Sequence, residues 1–377
     1  MKKSLKKIAI YSLFIPFLLS LGGCESNENE VKVGAIFSST GVAGDYGKKS
    51  VEGIELAADL INKEGGIKGK KIKLIVEDAM SSNKDAISAY RKLVDVNKAN
   101  YIIGDIYSTT TKAIIGNLSK DILLFAPGAS RPDLVGLSNN FLRNWTSDDF
   151  DGYAMSRVIQ SQGFNRTSVL TQQNDYTLAL KEAFVKDFQS NGKVVDDDGF
   201  FTEDQLSYKE LLLKLKNKNV KAVYLIGMSK QAGQMLKDAK EIGFNPQWFA
   251  NLTVNTDDCK LIAGEAINGV IFSEPFVDKT TKEWTDFHDL YVEKYSREPD
   301  ATAAHSFDAL KILSLALSNT DNIQDAISYI NSIKDYVGVS GNTTFDGKGG
   351  VVKDIEVLQF RNNTAERIEI FKFNDKQ

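Results

Sequence analysis

Val31-Lys32-Val33-Gly34-Ala35-Ile36-Phe37-Ser38 opens the unit that decides the fold. It reads as a buried strand. In the segment behind it Val51, Ile54, Ala58 and Ile61 share one helical face, and Gly65-Gly66 then ends that helix with residues that tolerate positive φ. The strand-like Ile72-Lys73-Leu74-Ile75-Val76 completes a β-α-β unit. The same alternation continues: a helix near 86–94, a strand at 101–104, a helix near 110–118, a strand at 122–126. A second series follows Arg143-Asn144-Trp145, with helices near 153–160, 178–189, 211–215 and 232–242 and strands at 168–170, 194–201, 222–226 and 248–250. Helices at 284–295, 303–317 and 323–333 follow without strong strands between them and are expected to return to the first half. A β-rich tail covers 351–360 and 367–373. Alternation of this kind specifies α/β architecture with parallel sheets. The expected fold is two doubly wound, Rossmann-like lobes joined by a multi-strand hinge. Residues 31–147 plus 280–335 make the first lobe, and residues 148–279 plus 336–377 the second. Proline is scarce, and no solenoid repeat or low-complexity linker separates the halves.

The N-terminus carries a separate signal. Residues 1–7 are basic, 8–20 are almost wholly apolar, and Leu21-Gly22-Gly23-Cys24 follows at once. That order is a secretory leader, and its apolar run is shorter than the roughly 20 residues that span a bilayer. Leu-Gly-Gly-Cys resembles the bacterial lipoprotein box, whose cysteine is acylated and becomes the first residue of the mature chain. The expected layout is a signal peptide at 1–23, a lipidated Cys24 and a polar tether to residue 30. Lipid would then hold the protein in the cell envelope, facing the periplasm or the exterior.

Composition excludes several functions. The whole chain carries a net charge of −4, and taking away the leader lysines Lys2, Lys3, Lys6 and Lys7 leaves −8. A body so acidic, with no long Lys/Arg run, repels phosphate backbones, so no nucleic-acid partner is expected. The only cysteines are Cys24 and Cys259, which leaves one thiol without an intramolecular partner and its role open. His288 and His305 fall on separate helices and outside any H-E-x-x-H spacing, so neither a metal nor a cofactor is expected. There is no G-x-S-x-G elbow, C-x-x-C pair or P-loop, which argues against an enzyme. Asp257-Asp258 and Asp196-Asp197-Asp198 read as solvated faces.

The loops after the first-half strands carry the candidate chemistry. Gly41-Val42-Ala43-Gly44-Asp45-Tyr46-Gly47 opens a helix, and Asp78 ends the second strand. The glycine spacing departs from the dinucleotide G-x-G-x-x-G fingerprint, so a glycine-shaped turn that projects Tyr46 into a cleft is the better reading. Tyr107-Ser108-Thr109-Thr110-Thr111 sits between strand and helix, where hydroxyls and free amides make a cradle for an anion. A plain N-cap needs only one of those hydroxyls. Pro127-Gly128-Ala129-Ser130 follows the neighbouring strand at the same carboxyl edge.

Taken together, Val33-Gly34-Ala35-Ile36 with Gly41 to Gly47, Ile61-Asn62-Lys63-Glu64-Gly65-Gly66-Ile67-Lys68-Gly69, Tyr101-Ile102-Ile103-Gly104, Pro127-Gly128-Ala129-Ser130-Arg131-Pro132-Asp133-Leu134 and Gly233-Gln234-Met235-Leu236 resemble the leucine/isoleucine/valine-binding proteins of the type I periplasmic-binding fold. The resemblance runs over nearly the whole mature chain. It implies that Ser108, with Thr109 beside it, holds a ligand carboxylate, and that the loop of Gly128, Ala129 and Ser130 meets an α-ammonium. It also implies that Tyr176 closes from the second lobe and that Tyr46 lies at the pocket edge. Three departures stand out. The family's ammonium-binding acid falls in Asn251-Leu252-Thr253, nearest Leu252, and a second-lobe pocket tyrosine is replaced by Met228 or Ser229. The family's first-lobe disulfide positions are held by Met80 and Tyr107. A buried ammonium without its partner costs several kcal/mol, so these departures imply a carboxylate, amide or keto-acid ligand without a free α-ammonium.

What the resemblance implies is an extracytoplasmic, lipid-anchored monomer that delivers a small molecule to an ABC transporter permease. The alternatives are a ligand-sensing partner of a membrane signalling protein and a nucleotide-dependent enzyme. The lipoprotein box disfavours the enzyme; transport and sensing use the same binding fold, and the chain alone does not separate them.

Overall fold

The computed structural model describes residues 29–373, so the leader, Cys24 and the tether as far as residue 28 lie outside the described residues. In the first lobe β1 (Glu30–Phe37), β2 (Lys71–Asp78), β3 (Tyr101–Gly104), β4 (Leu123–Ala126) and β5 (Phe141–Arg143) form a parallel sheet in the order β2-β1-β3-β4-β5. Helices α1 (Gly44–Lys63), α2 (Asn83–Arg91) and α3 (Ser108–Ile115) connect its first strands.

Both faces of such a sheet must be covered, and period-two geometry divides each strand between two cores. Val33, Ala35, Phe37, Ile103, Leu123 and Phe125 enter one core. Ile36, Ile102, Leu124 and Ala126 enter the other.

The second lobe runs α4 (Asp148–Ser161), β6 (Arg166–Gln172), α5 (Asp175–Ser190), β7 (Val194–Phe201), α6 (Lys209–Asn217), β8 (Ala222–Ile226), α7 (Ser229–Glu241), β9 (Gln247–Ala250), α8 (Asp257–Ala263) and β10 (Ile271–Pro275). The same division recurs here. Leu170, Val223, Leu225 and Phe272 face one core, while Val169, Tyr224, Ile226 and Ile271 face the other.

The chain then returns to the first lobe with α9 (Lys282–Tyr295), α10 (Ala301–Asn319) and α11 (Ile323–Ser332). Trp284, Phe287, Leu310, Leu313 and Ile330 pack in the core over β1 and β3. Strands β11 (Tyr336–Gly338), β12 (Gly341–Phe345) and β13 (Val351–Val352) form a small antiparallel sheet. Here the sequence-based boundary needs correction, because Val339, Phe345 and Val351 pack in the first-lobe core, with the Phe345 ring 6.0 Å from that of Phe125. Only β14 (Ile355–Arg361) and β15 (Thr364–Phe371) belong to the second sheet, whose order is β15-β14-β10-β9-β8-β6-β7. Its β10, β14 and β15 run antiparallel.

The lobes are joined by crossings after Arg143, Pro275 and Val352, and a backbone bond from Phe276 N to Asp354 O at 3.0 Å ties two of them together. Among the described residues no helix is long and apolar enough to cross a membrane.

Candidate ligand-binding cleft

In both sheets the order reverses between strands that leave in opposite directions, and the loops at their carboxyl ends face each other. Such switch points form the crevices of open α/β sheets. Between them lies a cleft with about 430 Å³ of empty space, part of it open to solvent, walled by Ala43, Tyr46, Ile106, Tyr107, Gly128, Ser130, Trp145 and Thr302 from the first lobe and Tyr176, Met228, Leu252 and Thr253 from the second. No Lys, Arg, Asp or Glu lines it. Aromatic and aliphatic walls with a few polar groups are the usual make-up of a small-molecule site.

Each wall has its own support. The loop leading into the Gly41–Gly47 stretch is held by Asp78, which accepts from Ser39 N at 3.0 Å and from the Thr40 hydroxyl at 2.8 Å, while Ala43 N donates to Ser81 Oγ at 3.1 Å. Asp78 thus ties down the loop, and Tyr46 enters the cleft, its hydroxyl donating to Leu252 O at 3.3 Å. Asn174 caps α5 by accepting from Thr177 N at 3.1 Å, which fixes the first turn carrying Tyr176. The buried Asn251 amide donates to the Tyr176 hydroxyl at 3.0 Å, so the phenol O–H can itself donate; burial pushes its pKa well up, with Asp148 and Asp151 adding to the effect. Asn251 also exchanges bonds with Gly227, accepting from its N–H and donating to its carbonyl, both at 3.2 Å.

Of the residues singled out from sequence, Tyr46, Gly128, Ser130, Tyr176, Met228, Leu252 and Thr253 line the cavity, whereas Ser108, Thr109 and Ala129 do not. The anion cradle differs from its reading in sequence. Thr110 donates to Asp105 at 2.6 Å and Thr111 to Tyr107 O at 2.9 Å, so these hydroxyls brace the β3–α3 turn. Ser108 Oγ accepts from Arg131 N at 3.3 Å, linking that turn to the next loop. Sequence reasoning missed Trp145 and Thr302. Trp145 packs on the buried His305 ring at 4.4 Å, and Thr302 opens α10, far along the chain.

Polar contacts cross the cleft at its margins. Arg131 pairs with Asp175 at 3.1 Å and Lys49 with Asp257 at 3.4 Å. Asp257, read from sequence as a solvated face, thus meets the other lobe. Ala43 and Tyr107 share an apolar cluster with Tyr176 and Met228. Cys259 is buried in the second lobe, where burial pushes its thiol up to about 12 and makes it a packing residue.

Two doubly wound lobes linked by strand crossings, with an uncharged, aromatic-walled cavity where they meet, are the plan of a protein that holds a small solute between its halves. The chain matches the model of the Periplasmic binding protein family over residues 30–365, and it belongs to that family. It is 26% identical over 327 residues to the Leu/Ile/Val-binding protein of Escherichia coli (strain K12), covering 85% of this chain and 88% of that one. Among solved structures it is similar to a leucine-binding protein from Thermotoga maritima, with a TM-score of 0.86 at 24% identity over 92% of this chain and 99% of that one. It is also similar to a solute-binding protein of an ABC transporter from R. palustris in complex with benzoate, with a TM-score of 0.83 at 18% identity over 90% and 96%. The protein is therefore a substrate-binding protein of the type I periplasmic-binding fold. Its family is one of solute binding and transport, and membership implies an extracytoplasmic location.

Proposed function

We propose that this protein captures a small ligand bearing a carboxylate on an apolar or aromatic body, closes its lobes over it and delivers it to the permease of an ABC transporter. Acylated Cys24 holds it at the membrane. The observation that carries the reading is the cavity itself: Tyr46, Tyr107, Trp145, Tyr176, Met228 and Leu252 leave room for a hydrocarbon or ring and exclude water around it. Ser130, Thr253, Thr302 and the Tyr176 hydroxyl are the polar groups that fix its orientation. Relatives and structural neighbours that bind branched-chain amino acids or benzoate support a ligand of this size. Ser108 and Thr109 act behind the wall in this reading, positioning the backbone amides of the β3–α3 turn for the carboxylate.

The test is a thermal-shift screen of amino acids, keto acids and aromatic acids against the mature chain. A true ligand at 100 times its Kd adds about 2.7 kcal/mol of stability. Hits confined to sugars, nucleotides or metal ions would refute the proposal.

A further inference from the structure

The pole of the first lobe that points away from the cleft is built from the N-terminal ends of its strands, and the chain enters there. β1 starts at Glu30, six residues after Cys24, and Asn29 O accepts from Lys71 N at 3.0 Å. Lysines crowd this entry. The parallel register sets Lys71 beside Glu30 and Lys73 beside Lys32. The turn before β2 adds Lys68 and Lys70, and the turn before β3 adds Lys98. Lys32, Lys68, Lys70 and Lys98 line an open groove at this pole, with Tyr101 among them.

The charge is placed at some cost to the backbone. Lys68 and Lys98 adopt φ of 50° and 61°, the left-handed region where glycine or asparagine is the easier choice, and among the described residues no other lysine does so. Lys68 pairs with Asp321 at 3.0 Å and Lys73 with Glu30 at 3.3 Å. Six lysines against those two carboxylates leave a local excess of four positive charges on a chain that is acidic overall. Lysine density alone does not mark this pole, since Lys216, Lys218 and Lys221 cluster before β8 at the far end of the second lobe. What sets the first-lobe pole apart is that the anchored end of the chain enters through it.

We propose that this pole is a membrane-docking surface: the lysines around the chain entry sit on anionic phospholipid headgroups and hold the protein with its first lobe down and its second lobe away from the bilayer. The proposal rests on a lipid at Cys24 and adds an orientation that acyl chains by themselves do not supply. From Cys24 to Glu30 the chain spans at most about 20 Å, so a lipid at Cys24 keeps this pole close to the headgroups. Charges are screened beyond roughly 8 Å at physiological ionic strength. The membrane therefore meets the local lysines and not the acidic body. Each lysine at an anionic surface favours contact about five-fold, and the tether raises the effective concentration at which that contact is made.

The test couples the mature chain at Cys24 to a maleimide-bearing phospholipid, which the buried Cys259 does not compete for, and inserts it in vesicles of phosphatidylcholine with or without phosphatidylglycerol. Coupling makes the result independent of acylation in the cell, which membrane fractionation of Cys24→Ala decides separately. Limited acetylation of amines, read by mass spectrometry, reports the exposure of each lysine. Lys68, Lys70 and Lys98 are expected to label about three-fold less, or lower still, on the anionic vesicles than on the neutral ones, and high salt should abolish the difference. In the double variant Lys70→Glu, Lys98→Glu, labelling at Lys68 should no longer distinguish the two vesicles. Equal labelling in the wild type, protection that survives high salt or the double variant, or protection of Lys216, Lys218 and Lys221 instead, overturns the docking surface. Equal protection by inorganic phosphate on neutral vesicles would assign the groove to a soluble anion and overturn it as well.

Discussion

Glu274 shows how a single buried side chain makes stability depend on pH. Burial, with Glu356 nearby, pushes its carboxyl up to about 7, against an ordinary value of 4.5. A group raised in the folded state contributes its stability below the unfolded pKa and loses it as pH rises through the folded one. Glu274 therefore costs stability above pH 7, and Asp151, at about 6, acts in the same sense. Glu274→Gln should raise the melting temperature at pH 8 by the equivalent of about 1–3 kcal/mol, and by much less at pH 5. Equal gains at both pH values would show that ionisation is not the cause. Legibility at this scale was uneven. Tyr46 stood out because it follows a strand at its carboxyl edge, and Tyr176 through the resemblance to the leucine/isoleucine/valine-binding proteins. Asp148, Trp145 and Thr302 did not. A buried acid in a helix's first turn reads in sequence as an ordinary dipole partner, and the missing partner of its Oδ2 is a fact of packing.

Among the helices, α1 lies against α10 with backbone close to backbone. A Cβ added at Gly53 would stand 2.1 Å from the backbone oxygen of Ala303, so the two helices can lie this close only with glycine there. Gly53→Ala should destabilise the fold by about 1–3 kcal/mol, read as a lowered denaturant midpoint with an unchanged slope. Strand β8 fell on the residues expected, because Ala222–Ile226 is a wholly buried apolar run. Strand β10 went unread. Ile271–Pro275 contains Ser273 and Glu274, polar residues that make sense only once Asp151 and Asn255 stand opposite them. The small sheet of β11 to β13 was likewise assigned to the wrong lobe, since nothing local says which core Phe345 will enter.

At the level of the whole molecule, Arg131–Asp175 and Lys49–Asp257 bridge the lobes on either side of the cavity. If these contacts belong to the ligand-closed form, small-angle scattering should record a smaller radius of gyration with saturating ligand than without it. The double variant Arg131→Ala, Lys49→Ala should weaken binding a few-fold, since partly exposed pairs are worth about 0.2–1 kcal/mol each. An unchanged radius would point to a rigid pocket. The anchor is tested separately: Cys24→Ala should move the protein from the membrane fraction to the soluble one, and continued membrane attachment would refute acylation at that residue.

The sequence by itself determined the α/β class and the plan of two doubly wound lobes. Both follow from hydrophobic periodicity, which is local. Only the tertiary structure decided which lobe holds β11 to β13, and which hydroxyls line the cavity and which are tied into turns. Those outcomes depend on contacts between residues far apart in the chain, such as Phe345 with Phe125 and Ser108 with Arg131, which periodicity does not relate.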